Sequence, residues 1–293
     1  MARFGQVITA MITPFDADGQ VDLDGAAALA SWLVEQGNDA LVLTGTTGEA
    51  SVLTDDEQIS VWHAVRNAVD VPLIAGSGTN DTAHATGLTS RAAAAGMDAV
   101  LIVTPYYVRP PQAGIEAHFR ALAQATELPV ILYDIPVRTG RKVATELLLR
   151  LAHELPNVVA LKDAAGDVAE TAELIAQAPS DFEVYSGDDA VTLPLLAVGA
   201  VGVISVASHW AAALMNEMIT AFLKGDVERA RELNARLIPS WNYESGDLNP
   251  NPIPTKALLR AIGQPAGQCR LPLGDAPEGL EERGLAVWSE LHA

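Results

Sequence analysis

Short apolar runs recur along this chain at a steady interval, and each is followed by a longer stretch whose apolar positions repeat with helical spacing. The runs Val7–Met11, Ala40–Thr44, Val71–Ala75, Ala99–Val103, Val130–Tyr133, Val158–Lys162, Glu183–Ser186 and Val201–Ser205 read as eight strands. Between them Leu23–Gln36, Asp55–Val69, Thr82–Ala95 and Ile115–Thr126 have helical length and periodicity. Strands alternating with helices imply a parallel sheet with right-handed crossovers. Eight such repeats match an α/β fold of the (β/α)8 TIM-barrel type, typically about 250 residues, with a doubly wound open sheet as the alternative.

Past the eighth unit the pattern changes. Helical segments near Val227–Leu237, Thr255–Ile262 and Pro277–Leu291 follow one another with no strand between them. Residues 1–224 are therefore expected to form the barrel and residues 225–293 a C-terminal helical extension. No linker separates the two, so the extension is expected to pack on the barrel. The run Asn249-Pro250-Asn251-Pro252-Ile253-Pro254 reads as a stiff loop that ends where a helix starts.

Composition narrows the function. At 293 residues the chain can bury a large core, and 49% hydrophobic content excludes a disordered protein. A net charge of −19 argues against nucleic acid and anionic membranes as partners, since both select basic patches. An anionic substrate must then meet a local positive site. The single cysteine, Cys269, allows no internal disulfide, and no CxxC or Cys/His metal spacing occurs, so no metal is expected. With an N-terminal apolar run too short for a secretory signal, the expected compartment is the cytoplasm. The uncharged stretch Ala190–Asn216 exceeds the roughly 20 residues of a membrane span. Pro194, Gly199, Gly202, Ser205 and Ser208 break it into helix, strand and helix.

The candidate chemistry centres on Val158-Val159-Ala160-Leu161-Lys162-Asp163, an apolar run driven into a lysine. Burial disfavours the ammonium form, so a lysine there can present a neutral amine near pH 7, as attack on a keto carbonyl to form a Schiff base requires. The plainer reading is a surface lysine paired with Asp163. Of the four lysines, Lys142, Lys224 and Lys256 fall in loop or helix patterns, and only Lys162 ends a strand. Barrel chemistry sits at the C-terminal ends of strands. There the chain carries Gly45-Thr46-Thr47-Gly48-Glu49, Thr104-Pro105-Tyr106-Tyr107 and Tyr133-Asp134-Ile135-Pro136-Val137-Arg138. Hydroxyls of Tyr and Thr can relay the protons that imine formation moves. Arg138 or the Thr46-Thr47 amides can bind a keto acid's carboxylate. His63, His84, His118, His153 and His292 lie in helical patterns, and His209, after the eighth strand, sits near the mouth with no role assigned.

These motifs, with Ser186-Gly187-Asp188-Asp189, Gly202-Val203-Ile204-Ser205 and the Asn251–Lys256 segment, resemble the dihydrodipicolinate synthase family of pyruvate-dependent class I aldolases, to which N-acetylneuraminate lyase also belongs. The resemblance runs from about Gly5 through the Asn251–Lys256 segment and so covers nearly the whole chain. It implies condensation of pyruvate with L-aspartate 4-semialdehyde to 4-hydroxy-tetrahydrodipicolinate, on the diaminopimelate route to lysine. Under it Lys162 forms the Schiff base, Tyr133 donates and accepts the proton, and Thr46 and Tyr107 complete the relay, Tyr107 from a neighbouring subunit. Thr47 would hold the pyruvate carboxylate, with Gly187 and the main chain at Ile204 shaping the pocket, and Arg138 would bind the semialdehyde's carboxylate. No metal or other cofactor is implied beyond the covalent imine. The family implies a homotetramer, a dimer of dimers. Where lysine-inhibited members carry two histidines and a glutamate, this chain has Asp55, Gln58 and His84, while Asn80 and Tyr106 match, so weak lysine feedback is expected. The alternatives are a family aldolase acting on N-acetylneuraminate or a keto-deoxy sugar acid, and a non-catalytic keto-acid-binding barrel.

Overall fold

The apolar runs become the staves of a closed barrel in which β1 pairs with both β2 and β8, all strands parallel. The computed structural model describes residues 2–244 and 246–292; Met1, Ser245 and Ala293, which belong to the expected barrel and extension, lie outside the described residues. In chain order the elements are β1 (Val7–Ala10), α1 (Leu23–Glu35), β2 (Ala40–Leu43), α2 (Asp55–Arg66), β3 (Leu73–Gly76), α3 (Thr82–Ala92), β4 (Ala99–Val103) and α4 (Gln112–Gln124). There follow β5 (Val130–Asp134), the single turn α5 (Pro136–Thr139), α6 (Thr145–Glu154), β6 (Val158–Asp163), α7 (Val168–Gln177), β7 (Glu183–Ser186), α8 (Thr192–Ala197) and β8 (Gly202–Ser205). The chain closes with α9 (Ser208–Leu223), α10 (Val227–Glu244), α11 (Ile253–Ala261) and α12 (Leu280–Leu291). The stretch Ala190–Asn216 is thus divided among α8, β8 and α9, and among the described residues no helix is long and apolar enough to cross a membrane.

Local signals explain most boundaries. Thr54 and Glu57 form a reciprocal capping box at the start of α2, and Asp22, Asp81 and Asp167 cap α1, α3 and α7 with their carboxylates. The third strand begins two residues later than its apolar run suggests. Pro72 has no N–H for the ladder and contributes only its carbonyl, which accepts from Leu41 N. Helix α10 runs to Glu244 rather than stopping near Leu237, although Pro239 lies inside it. Trp241 and Tyr243, buried against the C-terminal core, supply packing that outweighs the lost backbone bond.

Two apolar layers share the strands. Ile8, Ala10, Val42, Ile74, Leu101, Ile131, Tyr133, Ala160, Tyr185 and Ile204 fill the barrel, and alternate residues such as Leu41, Leu73, Leu132 and Leu161 pack against the helices. Strand β6 breaks this alternation once. Val158 packs outward, yet Val159 and Ala160 both pack with the interior cluster, opposite the single residue Ile131. This β-bulge restores the register so that Leu161 faces out, and Lys162 pairs with Tyr133. The C-terminal helices form a third cluster with α9.

Candidate active site

Strand alternation after the bulge turns Lys162 into the barrel and Asp163 out of it. Lys162 is 5% exposed, and its Nζ lies 4.4 Å from the centroid of the Tyr133 ring. Asp163 does not pair with it: its carboxylate accepts from Thr171 Oγ1 at 2.5 Å and from Ala165 N at 2.9 Å on the helix side. The surface-pair reading therefore fails. Burial lowers the Lys162 pKa to about 8, with Asp189 opposing the shift and Arg138 reinforcing it. Gly187 lies against this side chain, because a Cβ there would fall 2.9 Å from Ala164 Cβ and 3.0 Å from Lys162 Cγ.

Tyr133 is also buried, and burial raises its pKa, so its hydroxyl keeps its proton at neutral pH; Arg138 and a hydrogen bond with Thr46 oppose that rise. Tyr133, Thr46, Ile135 and Arg138 line a cavity of about 330 Å³ that continues to Gln58, Asn80, His84 and Tyr106. That volume suits a small ligand. Ile204 lies inside the barrel on β8. Arg138 is exposed at the rim, and its Nη2 donates to Asn251 O at 3.3 Å. Tyr107 stands apart: it is 87% exposed and its φ is +70°. The structure thus brings Lys162, Tyr133, Thr46, Thr47, Arg138, Gly187 and Ile204 to one end of the barrel and turns Tyr107 outward.

The loop carrying Thr46 and Thr47 is held at both ends. Thr44 and Glu49 adopt left-handed φ values of +50° and +58°, uncommon for side chains of their kind. Thr44 Oγ1 accepts from Trp62 Nε1 at 2.8 Å. Glu49 is fully buried against Lys256, Nζ to Oε1 2.6 Å, and its Oε2 accepts from Arg270 N. Lys256 Nζ also donates to Gln268 O and sits 3.9 Å from the Phe15 ring centroid. Thr47 Oγ1 accepts from Asn251 Nδ2 at 2.9 Å, which leaves its own proton to donate.

Sequence reading missed Lys256 and Asn251 as supports of this loop. The signal for Lys256 was the one that marked Lys162, a lysine embedded in an apolar run, here Ile253–Leu259. His209 also differs from expectation. It is fully buried beneath the mouth rather than lining it, and burial lowers its pKa to about 4. Its Nδ1–H donates to Val206 O while Nε2 accepts from Ile12 N, as a neutral imidazole can. His84 Nε2 lies 2.7 Å from Asp55 Oδ1. Among the described residues no group of three or more His, Cys, Asp or Glu side chains is placed to hold a metal.

Comparison with known proteins matches this geometry to one family. The family model described as the dihydrodipicolinate synthetase family spans residues 3–285. The chain is 47% identical over 290 residues to a 4-hydroxy-tetrahydrodipicolinate synthase of Moorella thermoacetica, covering 98% of both chains. It is 50% identical over 279 residues to the enzyme of the same name from Acidothermus cellulolyticus, covering 94% of this chain and 88% of that one. A crystal structure of the corresponding protein from Cyanidioschyzon merolae, solved with lysine bound, superposes with a TM-score of 0.96 at 42% identity, covering 100% and 99% of the two chains.

Proposed function

Since the chain belongs to the dihydrodipicolinate synthetase family, we infer that it condenses pyruvate with aspartate 4-semialdehyde to 4-hydroxy-tetrahydrodipicolinate, the compound for which its relatives are named. One observation carries the chemistry: a lysine buried at the end of a barrel strand, its pKa lowered to about 8, stacked on a tyrosine that retains its proton. The neutral Lys162 amine attacks the pyruvate C2 carbonyl. Tyr133, hydrogen-bonded to Thr46, gives a proton to the departing hydroxyl, and water leaves as the iminium forms. The iminium is the electron sink, so a methyl proton passes to the Tyr133 oxygen that has just given one up, the resulting enamine carbon bonds to the aldehyde carbon, and the aldehyde oxygen takes that proton. No bound metal or cofactor is needed for these steps. The amino group brought in by the semialdehyde then adds to C2, closing the ring, and passes a proton to the Tyr133 oxygen as the bond to Lys162 breaks and the lysine leaves as the amine.

Thr47 donates to the pyruvate carboxylate, with its hydroxyl oriented by Asn251, and Gly187 and the main chain at Ile204 close the same pocket. Arg138 at the rim binds the carboxylate of the second substrate with its guanidinium fork. Its position supports aspartate semialdehyde over a sugar acid. Tyr107 acts in the site of a neighbouring subunit, which its exposure and strained backbone support, and the assembly is a tetramer built from such dimers. The reading places the enzyme in the cytoplasm.

Intact mass after borohydride reduction with pyruvate tests the proposal. An adduct on the wild type and none on Lys162→Ala is the expected result, and a wild type without adduct would remove the mechanism. Turnover on aspartate semialdehyde against N-acetylneuraminate then decides the acceptor.

A further inference from the structure

Behind Lys162, at the same end of the barrel, two buried carboxyl groups meet. Asp189 opens the short 3-10 turn Asp189–Val191 after β7, and Glu244 ends α10; they are 3% and 9% exposed. The turn between β8 and α9 joins them. Asp189 Oδ2 accepts from Val206 N and Ala207 N, both at 2.9 Å, and the Ala207 N–H is within hydrogen-bond reach of Glu244 as well. Asp189 Oδ1 and Glu244 Oε2 are each buried without a partner if both groups are ionised. Two carboxylates so placed repel one another and each leaves an acceptor unfilled, whereas one proton between them fills both and removes one charge.

The groups facing the pair come from every side. They are Lys162 on β6, Asp188 on the same turn as Asp189, and His209 on α9, which its two hydrogen bonds hold neutral. Asp163, the carboxylate nearest Lys162 in sequence, is committed to Thr171 on the outer face.

We infer that Glu244 donates its retained proton to Asp189, and that the single negative charge left on the pair is the counter-charge stabilising the iminium on Lys162. The inference rests on the Schiff-base reading. Burial and the neighbouring Asp189 both hold the Glu244 pKa well above the usual carboxylate range, in keeping with a retained proton. Both are positioning residues that act through Lys162. The logic is one of counting. Glu244→Gln leaves the charge on Asp189, Asp189→Asn lets Glu244 ionise and keeps a charge farther from the amine, and only the double variant has none.

The test is the pH profile of kcat/KM for pyruvate, read with borohydride-trapped adduct by intact mass, on the full-length wild type, both single variants and Asp189→Asn/Glu244→Gln. The acid limb of Glu244→Gln is expected to stay with the wild type. The limb of the double variant is expected to move down by about 1 to 3 pH units, the effect of losing one nearby opposite charge, and its adduct yield at fixed sub-saturating pyruvate to fall. A double variant that traps pyruvate with the wild-type profile overturns the counter-charge. A Glu244→Gln limb as displaced as the double's overturns the assignment of the proton. A wild type that traps no pyruvate removes the Schiff base itself, and this inference with it. Should the double variant not fold, the infrared C=O stretch of a protonated carboxyl in the wild type decides: it must be present and vanish in Glu244→Gln.

Discussion

Replacing Lys162 with methionine is expected to make the protein more stable while abolishing adduct formation. The fall of the Lys162 pKa from 10.5 to about 8 means that the folded state resists the ammonium form. At about 1.4 kcal/mol per pH unit that is a penalty of roughly 3 kcal/mol. Methionine keeps a similar apolar length and loses the contact with the Tyr133 ring, worth roughly 0.5 to 2 kcal/mol. The net gain expected at pH 7 is therefore about 1 to 3 kcal/mol. Its pH dependence identifies the cause. Below pH 8 the lysine is protonated in both folded and unfolded states, and the penalty is complete. Between about 8 and 10.5 the folded state has released its proton while the unfolded state still holds one, so wild-type stability rises with pH and the advantage of methionine closes. Urea unfolding of both proteins at equal concentration, at pH 7 and again near pH 10, measures it. A destabilised Lys162→Met, or a gain that does not shrink with rising pH, would refute the reasoning.

The other fully buried lysine should behave oppositely. Lys256→Met strands Glu49 and is expected to cost about 3 to 5 kcal/mol in the same unfolding assay, and to raise KM for pyruvate by loosening the Thr46–Thr47 loop. For the wild type, kcat/KM for pyruvate is expected to climb about tenfold per pH unit below the Lys162 pKa of about 8 and to level above it, because only the neutral amine attacks; steady-state rates across pH check this. Gly187→Ala pushes on Lys162 Cγ and is expected to lower kcat by about 10- to 100-fold with the fold retained, read by kinetics beside circular dichroism. With His84 engaged by Asp55, added L-lysine is expected to inhibit weakly, and half-inhibition at sub-millimolar lysine would contradict that.

The barrel and its central lysine were legible because both are written in short range. An apolar run ending in a charge shows strand and site at once, as at Val158–Lys162, and repeating strand and helix units leave few topologies. Boundaries set by a missing N–H were less visible, as at Pro72. What stayed hidden were partnerships between distant segments: Glu49 with Lys256, Thr47 with Asn251, and Asp189 with Glu244. Each joins the barrel mouth to the C-terminal helices, and no local pattern records which buried charge will find which partner. His209 shows the converse, since its position after β8 suggested the mouth while the packing of α9 took it inside.

The bulge in β6 separates two ways of counting along one strand. Above it, parity is fixed: removing Leu161 would bring Asp163 inward and send the amine toward the helices, exchanging a nucleophile for an acid. At the bulge itself parity is slack, because Val159 and Ala160 already share one partner in Ile131. Loss of Val159 would merely straighten the strand and leave Lys162 opposite Tyr133. Insertions and deletions arising at the closed end of this stave can thus be absorbed before they reach the chemistry, so the length of the strand's first half is free to drift while that of its second half is not.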